Sequence, residues 1–167
     1  FIPKRSVKKA ISKNITMTVF NHETLDEIIV QSYKLNKKAC IHLKIDTGMT
    51  RIGLSSLDDA LKLAKKALAY PFIQLEGIFT HFAHADSDDP TYTTLQYNRF
   101  LEVIEYFLVH DIQIPIKHCC NSAATMKFPF MHLDMVRIGV ALYGLYPDAS
   151  LKNHPIQLQQ AMSFKTR

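Results

Sequence analysis

The spacing of apolar residues along this chain switches repeatedly between a period of about two and a period of about three and a half. No hairpin signal accompanies any of the switches. Strand-like and helix-like segments that alternate in this way pair their strands in parallel through right-handed crossovers, so the fold is confined to the α/β class. Residues 15–20 read as a first strand, rich in β-branched side chains. Asn21 is placed to cap a helix carrying Leu25, Ile28, Ile29 and Leu35. Residues 40–45 form the next strand, closed by Asp46, Thr47 and Gly48. Ser55 and Ser56 then offer capping boxes with Asp58 and Asp59, ahead of a packing stripe of Leu57, Leu61, Ala64, Leu68 and the alanines between them.

A third strand spans residues 72–79 and runs into Thr80 and His81, and a polar loop follows at residues 86–90. A helix over about residues 93–110 is expected to bury Leu95, Phe100, Leu101, Ile104 and Leu108. The fourth strand, residues 114–118, should begin its ladder after Pro115, because proline has no N–H to donate. A short helix starts near Ser122. Residues 135–138 read as a fifth strand or a strand-like turn leading into Gly139 and Val140.

Two parallel architectures fit this order. A doubly wound sheet would gather its chemistry in one crevice, yet no GxGxxG follows a strand and no Walker-type loop is present. Polar groups instead follow directly on at least four strands, which favours a TIM (β/α)8 barrel. A closed barrel needs about 250 residues. The 167 residues hold about five strand-like runs, so the expectation is a partial barrel whose early strands precede Phe1, itself an unusual first residue. Residues 161–167 read as a strand cut short.

With 47% hydrophobic and 21% charged residues, the chain can build a core and is not disordered by composition. Lys4, Arg5, Lys8, Lys9 and Lys13 account for much of the net charge of +5. No stacking aromatics interleave with them, so a solvated helix face is expected rather than a nucleic-acid or membrane contact. No apolar run is long enough to span a bilayer. Cys40, Cys119 and Cys120 suit reduced, buried thiols of a cytoplasmic protein. The eight histidines lack zinc-type spacing, so no structural metal is expected.

The residues that carry chemistry stand at the strand ends. Arg137, between Val136 and Ile138, must be paired within the barrel or must face an anion or a ring nitrogen. Gly139 is either a plain turn glycine or a place where backbone N–H groups approach phosphate oxygens. Asn121 and Ser122 cap the short helix, bind phosphate at its start, or do both. His118 either bonds a neighbouring arginine or is satisfied in the core. Lys44 within an apolar strand is costly unless paired, chemically neutralised or snorkelled to the surface. Arg51 offers a five-donor fork to an acidic oxygen. His81 could be acid, base, a flat face against an aromatic cofactor, or structural. Together the groups suit a phosphate-bearing planar cofactor.

Four runs carry a family resemblance: Lys44-Ile-Asp-Thr-Gly-Met-Thr-Arg51-Ile-Gly, Glu76-Gly-Ile-Phe-Thr-His81-Phe-Ala, His118-Cys-Cys-Asn121-Ser122-Ala-Ala, and Asp134-Met-Val-Arg137-Ile-Gly139-Val140-Ala-Leu-Tyr143-Gly. In consistent order over essentially the whole chain, the sequence resembles the central part of bacterial alanine racemase. The resemblance implies that residues 1–160 belong to a barrel binding pyridoxal 5′-phosphate, and that residues 161–167 begin the link to a C-terminal β domain. By the same resemblance Arg137 donates to the pyridine nitrogen with His118 in support, and Ser122, Gly139 and Val140 hold the phosphate. His81 packs on the ring, Asn121 helps position the cofactor, and Arg51 bonds its phenolic oxygen. In many relatives the lysine matching Lys44 is a carbamate that anchors the matching arginine. Thr50 replaces a glycine common at that turn.

What the family does would follow. The parent protein would interconvert L-alanine and D-alanine with two bases, supply D-alanine for peptidoglycan, and act as a homodimer. Arg51, His81 and Arg137 would support the chemistry. A permanent cation at the pyridine nitrogen cannot accept its proton, which weakens the electron sink and disfavours transamination. The lysine that binds the cofactor's aldehyde is expected upstream of Phe1 and the second base, a tyrosine, beyond Arg167, so these residues alone would be inactive. A racemase of broader specificity is the nearest rival. Decarboxylases of this fold place a carboxylate where Arg137 stands, and noncatalytic cofactor-binding barrels tend to lack a second domain.

Overall fold

The computed structural model describes residues 2–163 and 165. Four parallel strands form one sheet in the order β1 (Met17–Val19), β2 (Ala39–Lys44), β3 (Ile73–Phe79) and β4 (Ile116–His118). Between and around them lie α1 (Lys4–Ser12), α2 (His22–Leu35), α3 (Leu57–Leu68), α4 (Thr91–Val109) and α5 (Ser122–Lys127). Strand order follows chain order, so each crossover joins two neighbouring parallel strands.

Local chemistry sets the boundaries. The Asn21 side chain accepts from Thr24 N at 2.8 Å and starts α2, and the Ser56 hydroxyl accepts from Asp59 N at 3.3 Å and starts α3. Each cap contributes about 1 kcal/mol. Of the two serines considered, Ser56 alone caps. Asn36 ends α2 in the left-handed region at φ 48. Pairing of β4 begins at Ile116, just after Pro115.

Alternate residues of β2 face opposite ways. Ile41 and Leu43, with Ile45 just beyond, are buried in one core with Leu25, Ile28, Leu63, Phe100 and Phe107. His42 and Lys44 occupy the other face. The basic N-terminal segment is a solvated helix face: α1 buries Val7, Ala10 and Ile11, while Lys4 pairs with Glu23 at the surface.

Three expectations are corrected. In α4 the buried stripe is Thr93, Gln96, Phe100, Val103 and Phe107, whereas Leu95, Leu101 and Leu108 are exposed. Apolar residues surround this helix, so hydropathy alone did not fix its phase. In α3, Leu61, Ala64 and the alanines Ala60 and Ala67 are buried as expected and Leu63 joins them, whereas Leu57 and Leu68 at the helix ends are exposed. Residues 135–138 form no strand; a single backbone–backbone bond, from Arg137 N to Cys120 O at 3.0 Å, joins the segment to β4's extension. The strand expected over 161–167 falls partly on Phe164, Thr166 and Arg167, outside the described residues, and 161–163 are not in a strand.

Candidate functional site

The site begins with an irregularity in the β2–β3 ladder. Ile41 pairs with Leu75 but His42 pairs with Gly77, so Glu76 is the extra residue of a β-bulge. Glu76 and Gly77 thus both lie opposite His42. The Glu76 carboxylate takes the imidazole Nε2 at 3.2 Å, and the missing side chain at Gly77 leaves the ring its space.

Two register positions on, Lys44 ends β2 and Phe79 ends β3, with His118 ending β4. The Phe79 and His118 rings stack at 4.7 Å with an interplanar angle of 5°. Lys44 Nζ lies 5.0 Å and Arg137 Cζ 5.1 Å from the Phe79 centroid, so two cations share one aromatic ring.

Arg137 spends its donors on neutral acceptors only. Its guanidinium meets His118 Nδ1 at 2.5 Å, Thr80 O at 2.8 Å, His81 Nδ1 at 3.2 Å and Cys119 O at 3.2 Å. Among the described residues it makes no salt bridge. A guanidinium cannot accept, so both histidines must present a bare Nδ1. Burial, reinforced by the Arg137 charge, holds His118 down to about 3 and His81 down to about 4, and both rings are neutral near pH 7.

Lys44 is 3% exposed and its Nζ has no hydrogen-bond partner. Burial first, and the Arg137 charge second, lower it to about 8. The surface-snorkelled reading of Lys44 is therefore excluded. Arg51, in contrast, is exposed and makes no hydrogen bond among the described residues. It lines a cavity of about 590 Å³ with Asp46, Gly48, Arg99 and Glu102 at the turn that follows β2, and its charge adds to those holding Lys44 and His81 down. Open volume does not mark this site; the convergent polar groups at the strand ends do.

The phosphate-type residues are close together. Ser122 Oγ, at the start of α5, accepts from Gly139 N at 2.7 Å and Ala141 N at 3.3 Å. The Gly139 N–H is thus already engaged by the serine. A Cβ at Gly139 would touch only Ser122 Oγ, at 3.6 Å, which leaves its outer side open to a ligand. Val140 is exposed beside it. Asn121 caps α5 by accepting from Ala124 N at 3.0 Å.

Sequence reasoning passed over Phe79, His42, Glu76 and Gln96. Gln96 is fully buried in α4, and accepts from Ala83 N at 2.8 Å while donating to His81 O at 3.1 Å and Thr47 Oγ1 at 3.3 Å. It clamps the ends of β2 and β3 together. A glycine inside a strand was the available signal for the His42 contact, since it marks a bulge or a close approach.

The sequence matches the family described as alanine racemase, N-terminal domain, over residues 1–147. The chain belongs to the alanine racemase family. Alanine racemase 2 of Oceanobacillus iheyensis is 51% identical over 161 residues, covering 96% of this chain and 40% of that protein. The solved structure of alanine racemase from Clostridium difficile 630 in complex with cycloserine matches with a TM-score of 0.92 at 38% identity, over 96% of this chain and 44% of that one. A histidine racemase of Leuconostoc mesenteroides subsp. sake matches with a TM-score of 0.81 at 25% identity, over 96% of this chain and 43% of that one. The chain spans less than half the length of these relatives. Membership of the alanine racemase family settles the choice between barrel and doubly wound sheet: the four strands are part of a (β/α) barrel, and the Arg137 cluster lies at their C-terminal ends, where barrel enzymes carry their sites.

Proposed function

We propose that the whole protein containing this segment is a pyridoxal 5′-phosphate-dependent racemase that interconverts L-alanine and D-alanine, and so supplies D-alanine for peptidoglycan. The observation that carries the reading is Arg137: a guanidinium at the strand ends, ringed by neutral acceptors and lacking a carboxylate partner. Its unneutralised charge suits a heteroaromatic nitrogen. The residues present fit the cofactor on two further counts: Ser122 Oγ and the neighbouring backbone are gathered as a phosphate cradle would be, and the orphaned Lys44 Nζ awaits neutralisation.

In this reading Arg137 holds the pyridine nitrogen, Ser122, Gly139 and Val140 hold the phosphate, His81 presents its neutral ring face, Asn121 helps position the cofactor, and Arg51 reaches the phenolic oxygen. Bound there, the cofactor supplies the electron sink that makes the α-proton of an amino acid acidic. His118 keeps Arg137 aimed. Arg137 stays cationic and donates without releasing a proton. A carbamate on Lys44 would convert its buried cation into an anion able to draw Arg51 inward from its exposed position. Residues 1–160 are assigned to the barrel and 161–167 to the link toward a β domain. The two bases that work on opposite faces of the α-carbon are assigned to other parts of a homodimeric cytoplasmic protein, so the 167 residues alone are inactive.

The likeness to a histidine racemase favours one second reading, a racemase of broader specificity. Measuring D/L interconversion of alanine and of histidine by the full-length protein separates the two. Absence of alanine turnover overturns the first reading. Turnover above a no-protein control by the 167-residue chain with added cofactor overturns the assignment of the bases elsewhere.

A further inference from the structure

Beneath Arg137, two imidazoles and a carboxylate form a line that the proposed chemistry does not use. Arg137 meets His118 Nδ1 at 2.5 Å, His118 Nε2 meets His42 Nδ1 at 2.9 Å, and His42 Nε2 meets Glu76 Oε2 at 3.2 Å. Thr16 Oγ1 also donates to Glu76 Oε2, at 3.0 Å. Each link spans a different strand or segment, so the line crosses from β3 through β2 and β4 to the segment bearing Arg137.

Hydrogen-bond roles fix its direction. A guanidinium only donates, so His118 Nδ1 accepts, and a neutral His118 then carries its proton on Nε2. That proton points at His42 Nδ1, which accepts, leaving the His42 proton on Nε2 and directed at Glu76. An ionised carboxylate only accepts, so the direction demanded from the Glu76 end is the same as that demanded from the Arg137 end. A second proton on either ring would set N–H against N–H. The charges nearby agree: Arg137 and Lys44 lie above the line, Glu76 lies at its foot, and burial keeps both rings below their ordinary range.

We propose that Glu76 is the terminal acceptor of a one-way relay, Arg137 to His118 to His42 to Glu76, which locks both imidazoles as neutral Nε2–H tautomers and makes Glu76 a positioning residue for the Arg137 guanidinium. The bulge is the device that builds it, because it sets Glu76 and the side-chain-free Gly77 together opposite His42. The tautomers follow from geometry alone; only their bearing on catalysis rests on Arg137 meeting the cofactor's ring nitrogen.

Nitrogen NMR of the protein labelled at histidine with 15N tests the relay directly. At neutral pH two rings should show the neutral Nε2–H pattern and share a 15N–15N scalar coupling across the His118–His42 bond. An Nδ1–H tautomer or an imidazolium at either ring, or absence of the coupling, overturns the proposal. Glu76→Gln keeps an acceptor oxygen and should preserve both signatures, whereas Glu76→Leu should abolish the coupling. Retention of the coupling in Glu76→Leu removes Glu76 from the relay, and if that variant does not fold, the wild-type and Glu76→Gln spectra still decide. In the full-length holoenzyme, Glu76→Leu should lower kcat about tenfold, the equivalent of one hydrogen bond, with KM for alanine little changed and recovery in Glu76→Gln. An unchanged kcat confines the relay to structure. Failure of all alanine turnover would sink the functional reading while leaving the tautomers to be read.

Discussion

His42 fills the space that a side chain at Gly77 would need: an added Cβ there would come within 2.6 Å of the imidazole. The obstruction is steric, since Gly77 has no left-handed backbone requirement. Gly77→Ala is therefore expected to destabilise the fold by about 1–3 kcal/mol, the range for overpacking. Urea denaturation would show it as a lower midpoint with unchanged slope. An unchanged midpoint would mean that the ring moves aside freely and is not held by His118 and Glu76.

Thr50 stands at φ 54, a left-handed conformation that β-branched side chains resist. The turn is held there because Asp46 Oδ1 accepts from Gly48 N at 2.9 Å and Thr50 N at 3.0 Å. Relief of about 1–2 kcal/mol of strain, less the entropy glycine gains when unfolded, gives Thr50→Gly a net stabilisation of up to about 1 kcal/mol. Thermal and urea midpoints should both rise. A fall would show that the Thr50 hydroxyl bond to Met49 O outweighs the strain.

Lys44 makes stability rise with pH on the alkaline side. Its folded value of about 8 lies below the ordinary 10.5, so between those limits the unfolded chain binds more protons than the folded one. The stabilising term is complete above 10.5 and is lost as pH falls through about 8. A shift of this size corresponds to about 3 kcal/mol. Lys44→Met should accordingly be more stable than the wild type at pH 7, and the gap should close by pH 10.5. A gap that persists unchanged across that range would locate the effect in packing. Carbamylation would be recognised by a mass increase and by loss of this pH dependence.

His118 and His81 produce the acid limb. Their folded values of about 3 and about 4 lie below the ordinary 6.5, so their contribution is complete above 6.5 and drains away as pH falls toward those values. Denaturation midpoints measured from pH 7 downward should fall most steeply in that interval. His118→Asn should flatten the curve. An identical slope in the variant would assign acid lability to other groups.

Gln96 answers three polar partners with one side chain, and Gln96→Leu would strand the Ala83 N–H and leave His81 O and Thr47 Oγ1 without that donor. Leaving a buried group unsatisfied costs about 1–3 kcal/mol. The loss should be concentrated near the ends of β2 and β3, visible as faster amide exchange around His81 than around Leu25. Uniform loss of protection would indicate global destabilisation instead.

Much of the fold was legible because its determinants are local. Asn21 and Ser56 announced their helices, Pro115 marked where β4 could start pairing, and the alternation of periods dictated parallel strands. The buried face of α4 was hidden because its inward residues include two polar ones, Thr93 and Gln96, and Gln96 is there to hydrogen-bond across loops rather than for hydropathy. The strand-end residues Arg137, His81, His118 and Ser122 were found, and the structure brings Arg137 together with both histidines and Ser122 together with Gly139. Arg51 was named too; it is exposed and hydrogen-bonds to none of them, although its charge reaches Lys44 and His81. The Glu76–His42 link was hidden because a bulge, which no sequence period records, decides which residue faces which.

The sheet is widest in the middle: β2 and β3 have 6 and 7 residues, and the flanking β1 and β4 have 3 each. Whatever strand lies beside either flank can gain few ladder bonds from it. Growth of this sheet in either direction must therefore draw its free energy from side chains interdigitating behind the newcomer, and bare edge-to-edge templating gains little purchase here.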